Sequence, residues 1–444
     1  MTLRERLAYL LSMRLWLTPG MGVKRHVLLA AAGTVILVMG VVTGALWLLE
    51  GNRQVVSAPL ESILVSNTWR LLGGWFSLTV ALLGLGTAVL AIGDLNRSLL
   101  SNWLPQPREA VQLIHQRLSL AKGPRIVALG GGTGLSNLLR GLRNHTSNIT
   151  AVVTVSDDGG SSGRLRAAFG MPAPGDIVDC LAALSDNELA VSRLLEYRFQ
   201  RGAELQGHTF GNLLITTLTE VEGDFAKAVR LLNSVLNLVG SVYPVSDQAL
   251  VLEAVKRSGE VIRGESRIRE SSGAIREVRL EPDQPRPLGE VVEGILAANL
   301  VVLGPGSLFT STIPPLLVPA IRRSLLSSAA RVVYVCNIMT EAGETDDFSA
   351  FDHVEALRRH LGKYPNLVVI NTGKVDPVRL QAYQQEGAEV VVLDEERFAK
   401  AGIEVIKFDL LGSGPHAQHD SERLASWLIA LARKAEQTLA VGMG

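Results

Sequence analysis

Two long apolar segments near the N-terminus constrain the fold of this chain more than any other feature. Val27 to Leu49 and Leu71 to Ile92 contain no charged side chain, and each matches the roughly 20 residues that cross a bilayer core. A cleaved signal peptide has a shorter apolar region, and a buried helix of a soluble protein does not need apolar residues on every face. The sequence therefore predicts two transmembrane helices.

The charges beside these segments predict their orientation. Basic residues lie before the first segment and after the second: Arg4, Arg6, Arg14, Lys24 and Arg25, then Arg97, Arg108, Arg117, Lys122 and Arg125. In the connecting loop the basic residues are balanced by acidic ones. Because basic residues favour the cytoplasmic side, we expect a multi-pass protein of the cell (inner) membrane with both termini and the globular domain in the cytoplasm.

The sequence predicts two domains. Residues 1–122 form a membrane hairpin and a linker with prolines at Pro105 and Pro107, and residues 123–444 form a cytosolic domain that begins at the breaker Gly123-Pro124. Glycine and valine residues such as Gly33, Gly40, Gly44, Val35, Val38 and Val42 would let the two spans pack tightly. Because such residues also occur where membrane helices of two chains associate, the sequence leaves open whether the protein forms a homo-oligomer.

Beyond Arg125, short β-branched runs alternate with longer helical stretches. Six runs are continuously apolar, as strands buried in a parallel sheet are: 126–129, 149–155, 300–304, 331–337, 366–373 and 388–394. Glu260 to Leu280 alternates charged and aliphatic residues and predicts an antiparallel excursion at an edge of the sheet. We expect a Rossmann-like, doubly wound α/β fold with a mostly parallel sheet.

Composition excludes several classes of function. The chain has 43 basic and 43 acidic residues, so no overall field attracts a polyanion, and we expect no nucleic-acid partner. Cys180 and Cys336 are far apart and belong to no Cys/His cluster, which argues against a disulfide framework or a structural zinc site. Because the net charge is zero, any site that binds an anion must depend on residues close to that site.

Glycine and polar residues follow several predicted strands, where ligands of such sheets bind. Gly131, Gly132, Thr133 and Gly134 follow the first strand, and Asp157 and Asp158 follow the second, before Ser161, Ser162 and Arg164. The first loop matches neither GxGxxG nor the P-loop pattern, so it indicates a phosphate only weakly. The aspartates could accept a ribose hydroxyl, hold Mg²⁺, or simply form an Asp-Gly turn.

Three further stretches support a phosphate or sugar pocket. Asp176 follows a rigid Pro-Ala-Pro-Gly turn, His208 and Asn212 flank a glycine, and Gly304, Gly306 and Ser307 form a second strand-to-helix loop. Two such loops suit a diphosphate better than a single phosphate. Structural alternatives stay open: Asp176 as a helix N-cap, and His208 as a buried histidine with satisfied hydrogen bonds.

Six sequence blocks carry a family resemblance. GGGTGLSNLLRGL, VSDDGGSSGRLR, PGDIVDCLAALSD, GHTFGNLLI, GPGSLFTSTIPPLLVPAI and YVCNIMTEAGETDDF, in this order and spacing, resemble the gluconeogenesis-factor proteins of the YvcK/CofD superfamily. The resemblance implies a Rossmann-like domain that binds nucleotide sugars such as UDP-N-acetylglucosamine and acts in cell shape and envelope synthesis during gluconeogenic growth. It also points to the related 2-phospho-L-lactate transferases, which move a phospholactyl group from a nucleotide diphosphate donor with magnesium.

By this resemblance, Gly131 to Thr133 would meet the diphosphate, Asp157 and Asp158 would lie near a metal and an acceptor, and Tyr383 would help to hold the uridine sugar. Gln418 stands where the family usually has a basic residue before His-Asp, and many members have no membrane hairpin. We expect a membrane-tethered UDP-sugar-binding regulator with an envelope-synthesis protein as partner. The alternatives are a magnesium-dependent transferase and a scaffold that binds no ligand.

Overall fold

The computed structural model describes residues 23–51, 60–103 and 107–442, which divide into two compact units, Met1–Gln116 and Arg117–Gly444. In the N-terminal part lie the helices α1 (Val23–Gly51), α2 (Leu60–Trp103) and α3 (Pro107–Ala121). Arg25–Leu48 and Gly73–Asn96 within α1 and α2 are long and apolar enough to cross a membrane. These stretches agree with the two predicted spans. The orientation inferred from the flanking charges, with both termini in the cytoplasm, stays a prediction.

Helices α1 and α2 pack through glycine. A Cβ atom on Gly84 would lie 2.2 Å from the Leu37 backbone nitrogen, and one on Gly40 would lie 2.5 Å from that of Ala81. Gly33 and Gly44 also face α2, whereas Val35, Val38 and Val42 are exposed. The glycines therefore form the contact inside the hairpin, and the valines lie on its outer surface.

The globular unit is built on a parallel sheet of seven strands in the order β10-β9-β8-β7-β1-β2-β3. The strands are β1 (Ile126–Gly130), β2 (Ile149–Val153), β3 (Ser241–Pro244), β7 (Leu300–Leu303), β8 (Arg331–Val335), β9 (Leu367–Asn371) and β10 (Glu404–Phe408). Every residue of β1 and β7 is buried, so both faces of the central strands are covered. This is the predicted doubly wound α/β fold.

Thirteen α-helices of the described globular residues complete the unit. They are α4 (Gly132–Leu142), α5 (Gly160–Phe169), α6 (Gly175–Leu184), α7 (Glu188–Leu195), α8 (Phe210–Glu222), α9 (Phe225–Val235), α10 (Glu265–Glu270), α11 (Gly289–Ala297), α12 (Pro319–Ser327), α13 (Ala350–Leu361), α14 (Pro377–Gln385), α15 (Glu395–Ala401) and α16 (Ser421–Gly442). Helix α4 packs against α6 and α16, which places the loop after β1 beside α6.

The predicted antiparallel excursion forms a sheet of its own. Strands β4 (Val251–Lys256), β5 (Val261–Arg263) and β6 (Ile275–Glu281) pair in the order β5-β4-β6 and do not extend the edge of the parallel sheet. The short helix α10 lies between β5 and β6 in the chain. The antiparallel character was predicted correctly, and the position at the sheet edge was wrong.

One predicted strand is absent from the described residues, and three observed strands were not predicted: β3 and β10 of the parallel sheet and β4 of the antiparallel sheet. Residues 388–394 make an isolated bridge and irregular hydrogen bonds, in which Val391 N–H donates to the Ile338 carbonyl. Val390 and Val392 are exposed, so this run is not the buried strand that its apolar residues suggest. Strands β3 and β10 lie at the two sheet edges, where partly exposed residues make the apolar signal weaker.

We predict that the hairpin depends on the backbone contact at Gly84. The Cβ atoms of cysteines at positions 44 and 77 would lie about as far apart as in a disulfide, since a Cβ on Gly44 is 3.4 Å from the Ser77 Cβ. In the full chain in membranes, the Gly44→Cys/Ser77→Cys pair should oxidise readily. Adding Gly84→Leu should lower the oxidised fraction, as counted by thiol mass-tagging after denaturation.

Gly86→Leu is the matched control, because no atom lies within 4 Å of a Cβ at Gly86. Equal oxidation in the Gly84→Leu and Gly86→Leu chains would contradict the glycine-packed hairpin.

Candidate functional site

The two predicted glycine-rich loops meet where the strand order reverses, between β1 and β7. A Cβ atom on Gly134 would lie 2.4 Å from the Pro305 carbonyl oxygen, and one on Gly306 would lie 3.3 Å from that of Gly131. Gly132 has a φ of +60° at the start of α4. The loops are so close that side chains at these glycine positions would push them apart. Their backbones line one crevice, which lies at the carboxyl ends of the strands, where such sheets usually bind ligands.

The crevice contains a cavity of about 560 Å³. Eight residues that the sequence singled out line it: Gly131, Gly132, Thr133, Gly134, Asp176, Gly306, Ser307 and Tyr383. Helix α4 begins here with no side-chain cap, which leaves backbone N–H groups of its first turn for a ligand. The Tyr383 hydroxyl accepts a hydrogen bond from the Ala417 N–H at 3.1 Å, which fixes the ring at the cavity wall beside Gln418.

A second cavity of about 730 Å³ adjoins the first. Six predicted residues line it: Thr133, Asp157, Ser161, Ser162, Asp176 and Asn212. The two cavities share Thr133, Asp176, Asp179 and Arg269. A ligand whose centre lies at these four residues could reach into both.

Four predicted site residues line neither cavity. Asp158 accepts a hydrogen bond from the Ser266 N–H at 2.8 Å, at the start of α10. Arg164 and His208 contact each other behind Ser161. Gly304, with a φ of +72°, forms the turn by which the chain leaves β7.

Asp176 is not a helix N-cap, because it lies in the first turn of α6 and accepts from the Gly132 N–H.

Several lining residues were not predicted. Arg269 of α10 lines both cavities, and Asp179, Asn337, Glu341 and His419 line one or both. Asn337 and Glu341 belong to a block that carried the family resemblance, which was the available signal. Arg269 lies in the segment interpreted only as an antiparallel excursion, and nothing local in the sequence indicates that it reaches the crevice.

Burial raises the pKa of four acidic residues in and near the site. Burial and the neighbouring Asp157 charge raise the pKa of Asp176 to about 6, and burial together with Asp176 raises the pKa of Asp179 to about 7. Burial also raises the pKa of Glu265 and of Glu344 to about 8 in each case. These four carboxyl groups are therefore partly neutral near pH 7.

Arg269 supplies positive charge to this acidic surrounding. Its guanidinium contacts the Glu265 carboxylate at 2.6 Å and attracts Asp157, Asp176 and Glu344. About half of the side chain is exposed, so the guanidinium can also face a ligand. Among the described residues that line the 560 Å³ cavity, Arg269 is the only arginine or lysine.

Two hydrogen-bonding atoms beside the first cavity have no partner. The Asn337 side-chain nitrogen donates to Glu341, and its oxygen Oδ1 is left unpaired. His419 bonds to the Cys336 backbone, and its Nε2 is unpaired. Burial lowers the pKa of His419 to about 4, so the ring is neutral and Nε2 is an acceptor. These acceptors would suit hydroxyl or N–H donors of a ligand.

The aspartates predicted to hold a metal do not act as a pair. Asp157 Oδ1 accepts from the Gly159 N–H at 3.0 Å and its side chain lines the second cavity, whereas Asp158 is directed to Ser266. Within residues 23–51, 60–103 and 107–442, no group of three or more His, Cys, Asp or Glu side chains gathers as a metal site. Asp157 and Asp176 share a cavity and fit Mg²⁺ of the kind that one or two carboxylates and ligand phosphates hold.

Known proteins share this sequence and fold. Residues 126–411 match the family described as 2-phospho-L-lactate transferase CofD. The protein named "Gluconeogenesis factor" of Bacillus subtilis is 42% identical over 317 residues, which cover 71% of this chain and 100% of the relative. A protein of Deinococcus radiodurans is 44% identical over 432 residues, covering 94% of this chain and 89% of its own, so this similarity extends into the N-terminal unit.

A solved structure shows the same architecture. The crystal structure of a protein from Bacillus halodurans is 39% identical and superposes with a TM-score of 0.68, covering 69% of this chain and 100% of that one. The match to the family therefore includes both sequence and fold. The chain belongs to the CofD family, and within that family its relatives are the gluconeogenesis factors.

Proposed function

We propose that the chain is a membrane-tethered regulator that binds a UDP-sugar such as UDP-N-acetylglucosamine. The observation that carries the proposal is the crevice between β1 and β7, where two glycine-rich loops meet beside a cavity of about 560 Å³. Helix α4 begins with no side-chain cap at Gly131; the Gly132 N–H donates to Asp176, and the next N–H group, that of Thr133, is offered to a diphosphate.

The remaining cavity walls suit the two ends of such a ligand. Tyr383 presents an aromatic ring whose hydroxyl is already bonded, which fits stacking against a base or a sugar. The unpaired acceptors Asn337 Oδ1 and His419 Nε2 fit hydroxyl or imide donors. Asp157 and Asp176 would hold Mg²⁺ together with the diphosphate; the ion, when bound, would offset charge that these carboxylates otherwise place beside the phosphates.

The biological role follows from the relatives and the hairpin. Relatives carry the name gluconeogenesis factor, and the proposed role is in cell shape and envelope synthesis during gluconeogenic growth, through an envelope-synthesis protein partner. The two apolar helices would keep the globular unit at the cytoplasmic face of the membrane, with both termini inside.

A second candidate is a transferase that moves a phosphoryl-linked group from a nucleotide diphosphate donor. The match to the family described as 2-phospho-L-lactate transferase favours it, as does the second cavity, which has room for an acceptor beside the shared residues Asp176 and Arg269. Asp157 could then accept the proton of an acceptor hydroxyl, and Arg269 could stabilise charge on the nucleoside monophosphate that leaves when the bond between the two phosphates breaks.

The first prediction here separates regulator from transferase. Titration calorimetry of the full chain in detergent should show binding of UDP-N-acetylglucosamine and UDP-glucose that is tighter than that of GDP or NADP. The UDP-sugars should remain intact after long incubation with Mg²⁺. Magnesium-dependent consumption of the ligand would indicate the transferase instead, and no binding of any of the four would contradict both candidates.

The second prediction concerns Asp157. Asp157→Asn keeps the oxygen that accepts from Gly159 but removes a charge beside Asp176, so the fold should be unchanged. The gain in UDP-sugar affinity on adding Mg²⁺ should fall about tenfold, or ~1.4 kcal/mol. Asp158→Asn is the matched control, because Asp158 lines neither cavity and its carboxylate accepts a hydrogen bond from the Ser266 N–H. Unaltered affinity and magnesium dependence in Asp157→Asn would make Asp157 a structural turn residue.

The third prediction is a pH dependence. The folded-state pKa values of about 6 for Asp176 and about 7 for Asp179 are raised, so both groups are mostly neutral below them and gain negative charge above. Without Mg²⁺, the affinity for a UDP-sugar should therefore fall as the pH rises from 6 to 8. Asp176→Asn should flatten part of this fall, and an affinity that rises with pH would contradict the prediction.

A further inference from the structure

A buried hydrogen-bond chain lies behind the wall of the second cavity. The Ser161 hydroxyl oxygen is 2.9 Å from His208 Nδ1 and 3.1 Å from Asn212 Nδ2, and Arg164 Nε is 3.3 Å from His208 Nε2. Ser161, His208 and Asn212 are only 6%, 7% and 4% exposed. Water therefore has little access to these side chains, and their donors and acceptors must match one another.

The direction of the chain follows from Arg164. A guanidinium only donates, so His208 Nε2 must accept from Arg164. Burial and the Arg164 charge lower the pKa of His208, so the ring is neutral and carries its one proton on Nδ1. Nδ1–H therefore donates to the Ser161 hydroxyl oxygen, and Ser161 cannot use this histidine as a base.

Asn212 completes the arrangement. Its side-chain nitrogen also donates to the Ser161 oxygen, so two donors occupy both lone pairs of that oxygen. The Ser161 proton must then point away from both partners, and no acceptor in the described part of the chain receives it. Ser161 lines the second cavity, of about 730 Å³, so its proton is available to a molecule in that cavity.

We infer that Ser161 is an obligate hydrogen-bond donor to an unprotonated oxygen of the bound ligand, and that Arg164, His208 and Asn212 are positioning residues that fix this direction. The inference rests on the proposed function in one respect, namely that the ligand is the UDP-sugar. The oxygen belongs either to a phosphate or to a carbonyl such as that of an acetamido group. Both oxygens accept without a proton of their own, whereas a sugar hydroxyl accepts from Ser161 only when its own proton points to another acceptor.

This arrangement also defines what Ser161 does not do. A nucleophilic serine needs a neighbour that accepts its proton, and both neighbours of Ser161 donate. The chain from Arg164 through His208 instead strengthens Ser161 as a donor, because each accepted bond polarises the hydroxyl. Three arginines and four carboxylates line the same cavity, so an oxygen with negative charge would be held beside the arginines: Arg140, Arg198 and Arg269, with Asp157, Asp176, Asp179 and Glu196.

The experiment compares two serines of the same cavity in the full chain in detergent. Ser136 also lines the cavity and is 2% exposed, but its hydroxyl donates to the Thr133 carbonyl at 3.1 Å and is not free. Ser161→Ala should weaken UDP-N-acetylglucosamine binding about tenfold, whereas Ser136→Ala should change it less than about twofold. Equal effects of the two substitutions would overturn the inference.

Three probes identify the oxygen. If Ser161→Ala weakens pyrophosphate, UDP-glucose and UDP-N-acetylglucosamine alike, the acceptor is a phosphate oxygen. If it weakens UDP-N-acetylglucosamine alone, the acceptor is the acetamido carbonyl. If wild type binds pyrophosphate with this Ser161 dependence but no UDP-sugar, the proposed function is wrong and the inferred donor is right. No Ser161 effect with any probe that binds would show that the donor is not used.

The positioning residues are tested without relying on ligand. Nitrogen-15 spectra of the histidine-labelled full chain, with the His208→Asn chain used for assignment, should show His208 protonated on Nδ1. Arg164→Leu removes the obligate donor to Nε2, so the proton should move to Nε2 and ligand affinity should fall although Ser161 is present. Arg164→Lys should restore both. A wild-type His208 that is protonated on Nε2 would overturn the inferred direction, whatever the ligand proves to be.

Discussion

The approach of two backbones at the reversal of strand order is the constraint on which the rest of the globular unit depends. Gly134 lies against the Pro305 carbonyl, and a Cβ on Gly131 would lie 2.3 Å from both Asp176 and Thr154. Because side chains are excluded there, the loops after β1 and β7 leave a crevice in which peptide N–H groups are the nearest donors. The positions of Asp176, Tyr383 and Ser161 around that crevice then follow from the elements that pack beside the two loops.

A second constraint is electrostatic and comes from outside the parallel sheet. Arg269 is brought to the crevice by α10, where Glu265 is its ion-pair partner, and Glu341 is brought there by the segment after β8. Lys256 joins these two parts: it is 2% exposed, and its Nζ donates to the carbonyls of Gly273 and Gly343. The charge balance of the site thus depends on how a peripheral sheet is fastened to the core, since burial of carboxylates without Arg269 would leave them uncompensated.

What the sequence could predict follows from how local each signal is. Buried parallel strands and glycine-rich loops are visible in short windows, so the central strands and both loops of the crevice were predicted correctly. Arg269 reaches the cavities only through tertiary packing, and no window of sequence shows which face of α10 lies there. Asp179 was missed although it lies one helical turn after Asp176 in a block that carried the family resemblance. Tertiary packing also separates Asp157 from Asp158. The Ser266 N–H, which donates to the Asp158 carboxylate, lies more than a hundred residues away in the chain. For residues 388–394, apolar composition indicated burial, but these residues pair with no strand of the sheet.

The neutral charge of the chain gives the hairpin a specific role under the proposed function. A protein with 43 basic and 43 acidic residues has no net attraction to anionic lipids, so surface electrostatics alone would not hold the globular unit at a membrane. Two apolar helices packed through glycine would hold it there independently of salt and of lipid charge. The crevice is lined entirely by residues of the globular unit, so under the proposed function ligand binding would not require residues of the hairpin. A UDP-sugar would then be bound within reach of membrane-bound partners, without requiring the protein to move to the membrane.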